Sequence, residues 1–65
     1  MKHFYFIEDE TGEEFLVGAN NYAEASIIAA DVADSIANEY SIHPILSFQY
    51  EMTEEEAEES GLDEY

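Results

Sequence analysis

The chain has 65 residues, of which 17 are Asp or Glu and only one is Lys or Arg, so its formal net charge is −16. A field of this strength repels nucleic acid and anionic membranes, which argues against direct binding to DNA or RNA. The chain has no cysteine, which excludes disulfides and thiolate metal sites. Because 46% of the residues are hydrophobic, we expect a folded core beneath a negative surface rather than a disordered acidic tail.

The length predicts a single domain that is marginally stable alone, since so short a chain buries only about 60% of its unfolded surface. Self-association is then a natural source of further stability, and we expect a homodimer. No apolar run reaches the roughly 18 residues that a membrane span requires, and no leader-like segment opens the chain. We therefore expect a cytoplasmic protein without a membrane partner.

The first two predicted elements are strands joined by a turn. Lys2–Glu8 is rich in aromatic and β-branched residues, as strands are. Asp9–Gly12 predicts the turn, and Glu13–Gly18 returns as the partner strand. Both faces of the first strand are apolar, which is typical of a strand at the centre of a sheet. Its side chains alternate, with Phe4 and Phe6 on one face and Tyr5 and Ile7 on the other.

The segment Asn21–Tyr40 has the clearest helical periodicity. Asn21 can cap the helix, and the Glu24 carboxylate can reach back to the N–H of the capping residue. The side of this helix that is expected to face away from the core carries Glu24, Asp31, Asp34 and Asn38, with Ile27 among them. The side expected to face the core contains Tyr22, Ala25, Ala29, Val32, Ala33, Ile36 and Tyr40, with Ile28 at its edge.

Pro44 prevents the helix from continuing, and a third strand follows at Ile45–Met52. The alternation of that strand predicts one apolar side formed by Leu46, Phe48, Tyr50 and Met52. Thr53 and Glu56 then form a capping-box sequence that opens a short helix, which Gly61 can end. Repulsion between glutamates one turn apart weakens this last helix.

This order of elements predicts an α+β fold of the ββαβ type, in which a three-stranded antiparallel sheet of order 2-1-3 carries one helix on one face. Residues 1–52 would form this domain and residues 53–65 an acidic C-terminal helix or tail. The face opposite the helix would expose apolar side chains that a small monomer should not leave in water. We expect the tail or, preferably, a second copy to cover Tyr5, Ile7 and Leu16.

No feature of the sequence indicates catalysis. The only histidines are His3 and His43, arginine is absent, and no serine or threonine has a neighbourhood that suggests an activating base. The acidic turn is similar in composition to a calcium loop, but Gly18 occupies the place where an EF-hand requires glutamate. We expect no enzyme activity, no catalytic residue, no cofactor and no specific metal site.

The acids are better understood as a binding surface. Carboxylates one helical turn apart lie about 5–6 Å from each other, the scale on which a nucleic-acid-binding groove meets successive phosphates. Such rows can occupy the groove as a decoy, because they use the Lys and Arg contacts that DNA would use. Three blocks are predicted: the helix side with Glu24, Ile27, Asp31 and Asp34, the turn with Asp9, Glu10, Glu13 and Glu14, and the tail with Glu54, Glu55 and Glu58.

In size, charge and order of elements, the chain resembles the small acidic phage-encoded proteins that mimic DNA, such as anti-CRISPR proteins and phage inhibitors of uracil-DNA glycosylase. Some of those glycosylase inhibitors have a similar strand-strand-helix-strand order and are dimers. The resemblance implies a non-enzymatic inhibitor whose partner is a basic nucleic-acid-binding protein of host defence or repair. Anti-CRISPR activity is favoured over inhibition of a glycosylase or a restriction enzyme.

Two alternatives remain open. The chain is also compatible with an acidic adaptor or assembly protein that binds a basic protein partner. Alternatively, the charge is a salt-adapted surface that keeps a protein of unrelated role in solution. Low salt should strengthen binding in the first two interpretations and have no such effect in the third.

Overall fold

The computed structural model describes residues 1–65, which form three strands and two helices. The strands belong to one antiparallel sheet of order β2-β1-β3, with α1 on one face and α2 on the other. The predicted α+β fold, the sheet order and the central position of the first strand are confirmed. The elements are β1 (Lys2–Glu8), β2 (Glu14–Ala19), α1 (Tyr22–Tyr40), β3 (Leu46–Met52) and α2 (Glu54–Ser60).

The core lies between α1 and the strands β1 and β2. The alanines of α1 extend little beyond the helix backbone, so the helix can lie close to the aromatic side chains of the sheet. The predicted core side of α1 is confirmed along its middle, whereas Tyr22 and Tyr40 at its two ends are about half exposed. The buried cluster contains Phe4, Phe6, Phe15, Val17 and Ala19 from the sheet and Ala25, Ala29 and Val32 from α1.

Both ends of α1 are fixed by local hydrogen bonds. The side chain of Asn21 accepts the Glu24 N–H at 2.9 Å, which confirms the predicted cap. The predicted bond from the N–H of Asn21 to the Glu24 carboxylate is absent, and that carboxylate lies 3.5 Å from the N–H of Asn20 instead. At the other end Ser41 adopts a left-handed conformation, with φ of 57°, and its N–H bonds to the carbonyl of Ala37. The helix therefore ends before Pro44 is reached.

A β-bulge in β3 corrects the predicted alternation of that strand. Phe48 pairs with Phe6 and Tyr50 pairs with Tyr5, so Gln49 is an extra residue between two successive pairs. An extra residue reverses the alternation of side chains beyond it. The Phe48 ring contacts Phe6 on the α1 face, whereas the Tyr50 ring lies 5.4 Å from that of Tyr5 on the opposite face. The prediction that Leu46, Phe48, Tyr50 and Met52 share one face of the strand was therefore wrong. Leu46 and Phe48 lie on the α1 face, and Tyr50 and Met52 lie on the opposite face.

The C-terminal residues extend the sheet beyond β2. The N–H of Leu16 donates to the carbonyl of Asp63 at 2.9 Å, and the N–H of Tyr65 donates to the carbonyl of Leu16 at 2.8 Å. The N–H of Gly18 donates to the carbonyl of Tyr65 at 2.9 Å. This short parallel pairing, centred on Leu16 and Glu64, holds the acidic tail against the sheet. The predicted capping box at the start of α2 is also present.

A buried carboxylate joins the hairpin turn to the loop before β3. Glu8 is fully buried, and its carboxylate accepts the N–H of Thr11 at 2.8 Å, the Thr11 hydroxyl at 3.1 Å and the N–H of Ile45 at 2.6 Å. Burial alone raises the pKa of Glu8, but hydrogen bonds from the N–H groups of Ile45, Thr11 and Glu10 and from the Thr11 hydroxyl outweigh it. The pKa of Glu8 therefore lies below its ordinary value, and the charged carboxylate fixes where β3 enters the sheet.

We expect Glu8→Ala to lower the midpoint of thermal unfolding by about 10 °C or more, because the N–H groups of Thr11 and Ile45 lose their acceptor. The exposed neighbour Glu10 provides the control, and Glu10→Ala should change the midpoint by less than about 2 °C. Circular dichroism at neutral pH measures both. Equal midpoints for the two variants would contradict this role of Glu8.

The same pair of variants tests the charge on Glu8. Because the folded-state pKa of Glu8 is lowered, its contribution to stability is present above the ordinary glutamate pKa of 4.5 and is lost as the pH falls through the lower folded value. The difference in midpoint between the wild type and Glu8→Ala should therefore narrow as the pH is lowered below 4.5. A difference that widened on acidification would show that Glu8 is protonated in the fold.

Removal of residues 53–65 should lower the free energy of unfolding by about 1.5–3 kcal/mol, because it exposes the Leu16 side chain. Urea unfolding in about 0.5 M NaCl measures the loss, since salt screens the repulsion that the deletion also relieves. The full-length control Glu55→Gln/Glu59→Gln relieves repulsion within α2 without undocking the tail, and it should not be less stable. A shortened chain as stable as the wild type would contradict a packing role for the tail.

Candidate acidic interaction surface

The outer side of α1 presents carboxylates on both sides of an exposed isoleucine. Ile27 is 69% exposed, one turn after Glu24 and one turn before Asp31. Glu24, Asp31 and Asp34 are all exposed, as predicted from the helical spacing. At 1.5 Å per residue, Glu24 and Asp34 lie about 15 Å apart along the helix axis. The helix thus offers a row of negative charges with one apolar contact within it.

The hairpin turn is attached to the C-terminal end of this row. The Tyr40 hydroxyl donates to the Glu13 carboxylate at 2.9 Å, which connects the last turn of α1 to the residues after Gly12. That hydrogen bond, together with the negative charges of Glu13 and Glu39, raises the pKa of Tyr40. The phenol is the donor in this bond, and the raised pKa keeps it a donor to higher pH than an ordinary tyrosine. Glu10 is exposed in the same turn. We define the helix–turn surface as Glu24, Ile27, Asp31 and Asp34 of α1 together with the turn residues Glu10 and Glu13.

Two predicted turn residues are directed away from the helix–turn surface. Glu14 accepts a hydrogen bond from the Tyr5 hydroxyl, and Asp9 accepts one from the Ser47 hydroxyl at 2.7 Å. Tyr5 and Ser47 lie on the face of the sheet opposite α1, as their pairing with Tyr50 and Ile7 indicates. The structure therefore divides the acidic turn between the two faces of the sheet.

The predicted tail residues Glu54, Glu55 and Glu58 belong to α2, on the face of the sheet opposite α1. This helix buries none of its own residues. Ala57 and Leu62 lie over the sheet near His3 and Leu16, and the space between them is an open cleft of about 200 Å³. A single binding groove that covers the outer side of α1 does not reach these glutamates. The helix block and part of the turn block therefore form one surface, the helix–turn surface, and the tail block forms a separate surface on the opposite face of the sheet.

The carboxylates of both surfaces lack cationic partners within the chain. Lys2 is the only Lys or Arg, and the only ion pair joins His3 to Glu64, which requires a protonated histidine. A net charge of −16 over an accessible surface of 4134 Å² amounts to about one negative charge per 260 Å². This charge is available to cationic groups of another molecule.

The three residues predicted to contact a second copy have different environments. Leu16 is 1% exposed beneath the chain's own C-terminal segment, whereas Tyr5 and Ile7 are half-buried and keep some surface. The hydrogen bond to Glu14, burial, and the nearby charges of Glu14 and Tyr50 raise the pKa of Tyr5 to about 12. Of the predicted set, only Tyr5 and Ile7 can still meet another chain.

Sequence reasoning missed two side chains that shape the surface. Strict alternation along β1 places Glu8 on the same face as Phe4 and Phe6, which was a signal that this acid is buried. The bond between Tyr40 and Glu13 joins residues far apart in sequence, and no local pattern announces it. Glu8 fixes the acidic turn against the loop before β3, and the bond between Tyr40 and Glu13 fixes it against α1.

No protein-family model matches the chain, and comparisons with curated proteins and with solved structures find no significant match. Neither helix combines the length and the apolar character needed to cross a bilayer. No group of three or more histidine, aspartate or glutamate side chains is arranged to hold a metal ion.

We expect a spectrophotometric pH-jump titration of the folded protein to contain one phenol with a midpoint near pH 12, and we expect Tyr5→Phe to remove it. Glu14→Gln should lower that midpoint, because it removes the acceptor charge that favours the neutral phenol. Glu13→Gln is the control, since Glu13 bonds to Tyr40 instead. Because the pKa of Tyr5 is raised, this contribution to stability is complete below pH 10 and is lost as the pH rises through about 12. A Tyr5 midpoint of 10 would contradict the bond.

Proposed function

We propose that the protein is a non-enzymatic inhibitor that places the helix–turn surface in the basic nucleic-acid-binding groove of another protein. The observation that carries the proposal is the row of exposed carboxylates on α1, none of which is paired with a cation of the chain. Lys and Arg side chains that bind phosphates can pair with carboxylates in the same way. Ile27 adds an apolar contact at the centre of the row, which a purely ionic decoy would lack.

The dimensions of the row suit this role. The separation of about 15 Å between Glu24 and Asp34 corresponds to about four base-pair steps of rise along the axis of B-form DNA. A rigid helix holds the carboxylates in fixed positions, so little conformational entropy is lost when they bind. The bond between Tyr40 and Glu13 similarly holds the turn against the end of α1. The turn then supplies a second group of charges beyond the helix.

The partners to test first are nucleic-acid-binding proteins of bacterial defence and repair. The chain resembles small acidic phage proteins in size, charge and element order, and that resemblance favours an effector of CRISPR defence. Uracil-DNA glycosylase and restriction enzymes are the next candidates to test. An acidic adaptor that binds a basic protein would share the charge but would not compete with DNA for its partner.

The test combines purified candidate proteins with the variant Glu24→Gln/Asp31→Asn/Asp34→Asn. The wild type should bind one candidate with an affinity that falls steeply with salt and should be displaced by duplex DNA. The triple variant should bind at least about ten-fold more weakly, and its slope of log K against log salt should be shallower than that of the wild type. Ile27→Ser should weaken binding with little change in that slope. Fluorescence anisotropy measures all three effects.

The tail supplies a matched control. Glu55→Gln/Glu58→Gln/Glu59→Gln makes the same change in net charge on the other face of the sheet, and it should retain the partner. Equal losses in the two triple variants would show that total charge, rather than the helix–turn surface, drives binding. A partner held independently of salt and not displaced by duplex DNA would refute mimicry and support an adaptor.

A further inference from the structure

The two edges of the sheet differ in a way that concerns self-association. Residues 63–65 pair with the outer edge of β2, so that edge is covered by the chain itself. β3 pairs only with β1, and its other edge is open. An open edge presents unpaired N–H and C=O groups, which act as a template for another strand.

The open edge also carries exposed aromatic side chains on both faces. α1 packs over β1 and β2 and leaves the neighbouring face of β3 largely uncovered. On that face the ring of Phe48 lies 5.1 Å from the ring of Tyr22, and on the opposite face Tyr50 lies against Tyr5. Four large side chains here are between 41% and 50% exposed, namely Tyr22, Ile45, Phe48 and Tyr50.

This edge is the least charged part of the protein. No Asp or Glu occurs between Glu39 and Glu51, which is the longest acid-free interval in a chain with 17 acids. Glu51 and the Asp9 carboxylate that bonds to Ser47 lie at its boundaries. Two copies of a chain with a net charge of −16 repel each other, and the repulsion is weakest where uncharged surfaces meet.

We propose that the β3 edge binds a second copy of this chain, so that two three-stranded sheets join into one six-stranded antiparallel sheet about a twofold axis. Self-pairing of one edge is isologous, since each copy offers the same strand to the other. A basic partner would instead be attracted to the carboxylates of α1, the turn or α2. The proposal is independent of the proposed inhibitory function, because it uses none of the helix–turn surface.

The interface is small, so the dimer is weak. A strand of seven residues spans about 24 Å, and the shortest extent of the molecule is 15 Å. Such a contact falls below the roughly 800 Å² per partner of a standard protein interface. The bulge at Gln49 shortens the length over which two copies of β3 can pair regularly. The dimer should therefore dissociate on dilution.

Salt distinguishes this contact from binding to a basic partner. Added salt screens the repulsion between two negative copies, so the dimer should become tighter as the salt concentration rises. Binding of carboxylates to a basic groove should become weaker under the same change. Sedimentation equilibrium from about 10 μM to 1 mM protein should give a dimer dissociation constant at least about ten-fold lower in 500 mM than in 50 mM NaCl.

Two measurements locate the contact. Amide chemical shifts and hydrogen-exchange protection should change with concentration in β3 and at Ile45. Ile45→Glu and Tyr50→Glu should abolish the dimer, whereas the control Ile27→Glu, the same kind of change on the outer side of α1, should leave it intact. Thermal unfolding of each variant establishes that it is folded.

Three results would overturn the proposal. The first is a wild-type protein that remains monomeric at 1 mM in high salt. The second is a dimer that salt weakens. The third is a dimer whose concentration-dependent shifts fall on Ile7 and α2 rather than on β3. The NMR measurement uses only the wild type, so it decides the matter even if a variant does not fold.

Discussion

Mutual repulsion among the carboxylates constrains where each element of this small protein can place its side chains. With one Lys and no Arg, the chain cannot compensate its charge internally, and almost every acid lies at the surface. Glu8 is the exception, and it is buried only because backbone and hydroxyl donors surround its carboxylate. Acids also begin both helices, where Glu24 and Glu54 lie near the favourable positive end of the helix dipole.

The architecture separates charge from apolar surface by direction. α1 faces the sheet with alanines and faces outward with carboxylates and Ile27. α2 and the C-terminal residues cover part of the opposite face and bring further acids with them. The strip from Ile45 to Tyr50 is left as the one extended region that is both exposed and free of acids, and Glu51 lies at its end. The two contacts that we propose, with a basic protein and with a second copy, therefore lie on different sides of the domain.

Regular periodicity explains which parts of the fold could be predicted from sequence. The helical spacing of α1 identified its buried and exposed sides, and the doubly apolar pattern of β1 identified the central strand. The bulge at Gln49 could not be predicted, because an extra residue leaves the alternation of the sequence unchanged while it reverses the faces beyond it. Likewise, the division of the acidic blocks between two faces depends on where α2 docks, which involves contacts distant in sequence.

The pairing of residues 63–65 with β2 closes a loop that contains most of the chain. Three backbone hydrogen bonds hold this segment to β2, whereas six residue pairs join β1 to β2. We therefore expect the C-terminal segment to open at a lower free energy than the hairpin and α1. Each opening frees the N–H groups of Leu16 and Gly18 and uncovers the second edge of the sheet. The domain then briefly has two open edges, a state from which strand pairing can propagate in both directions.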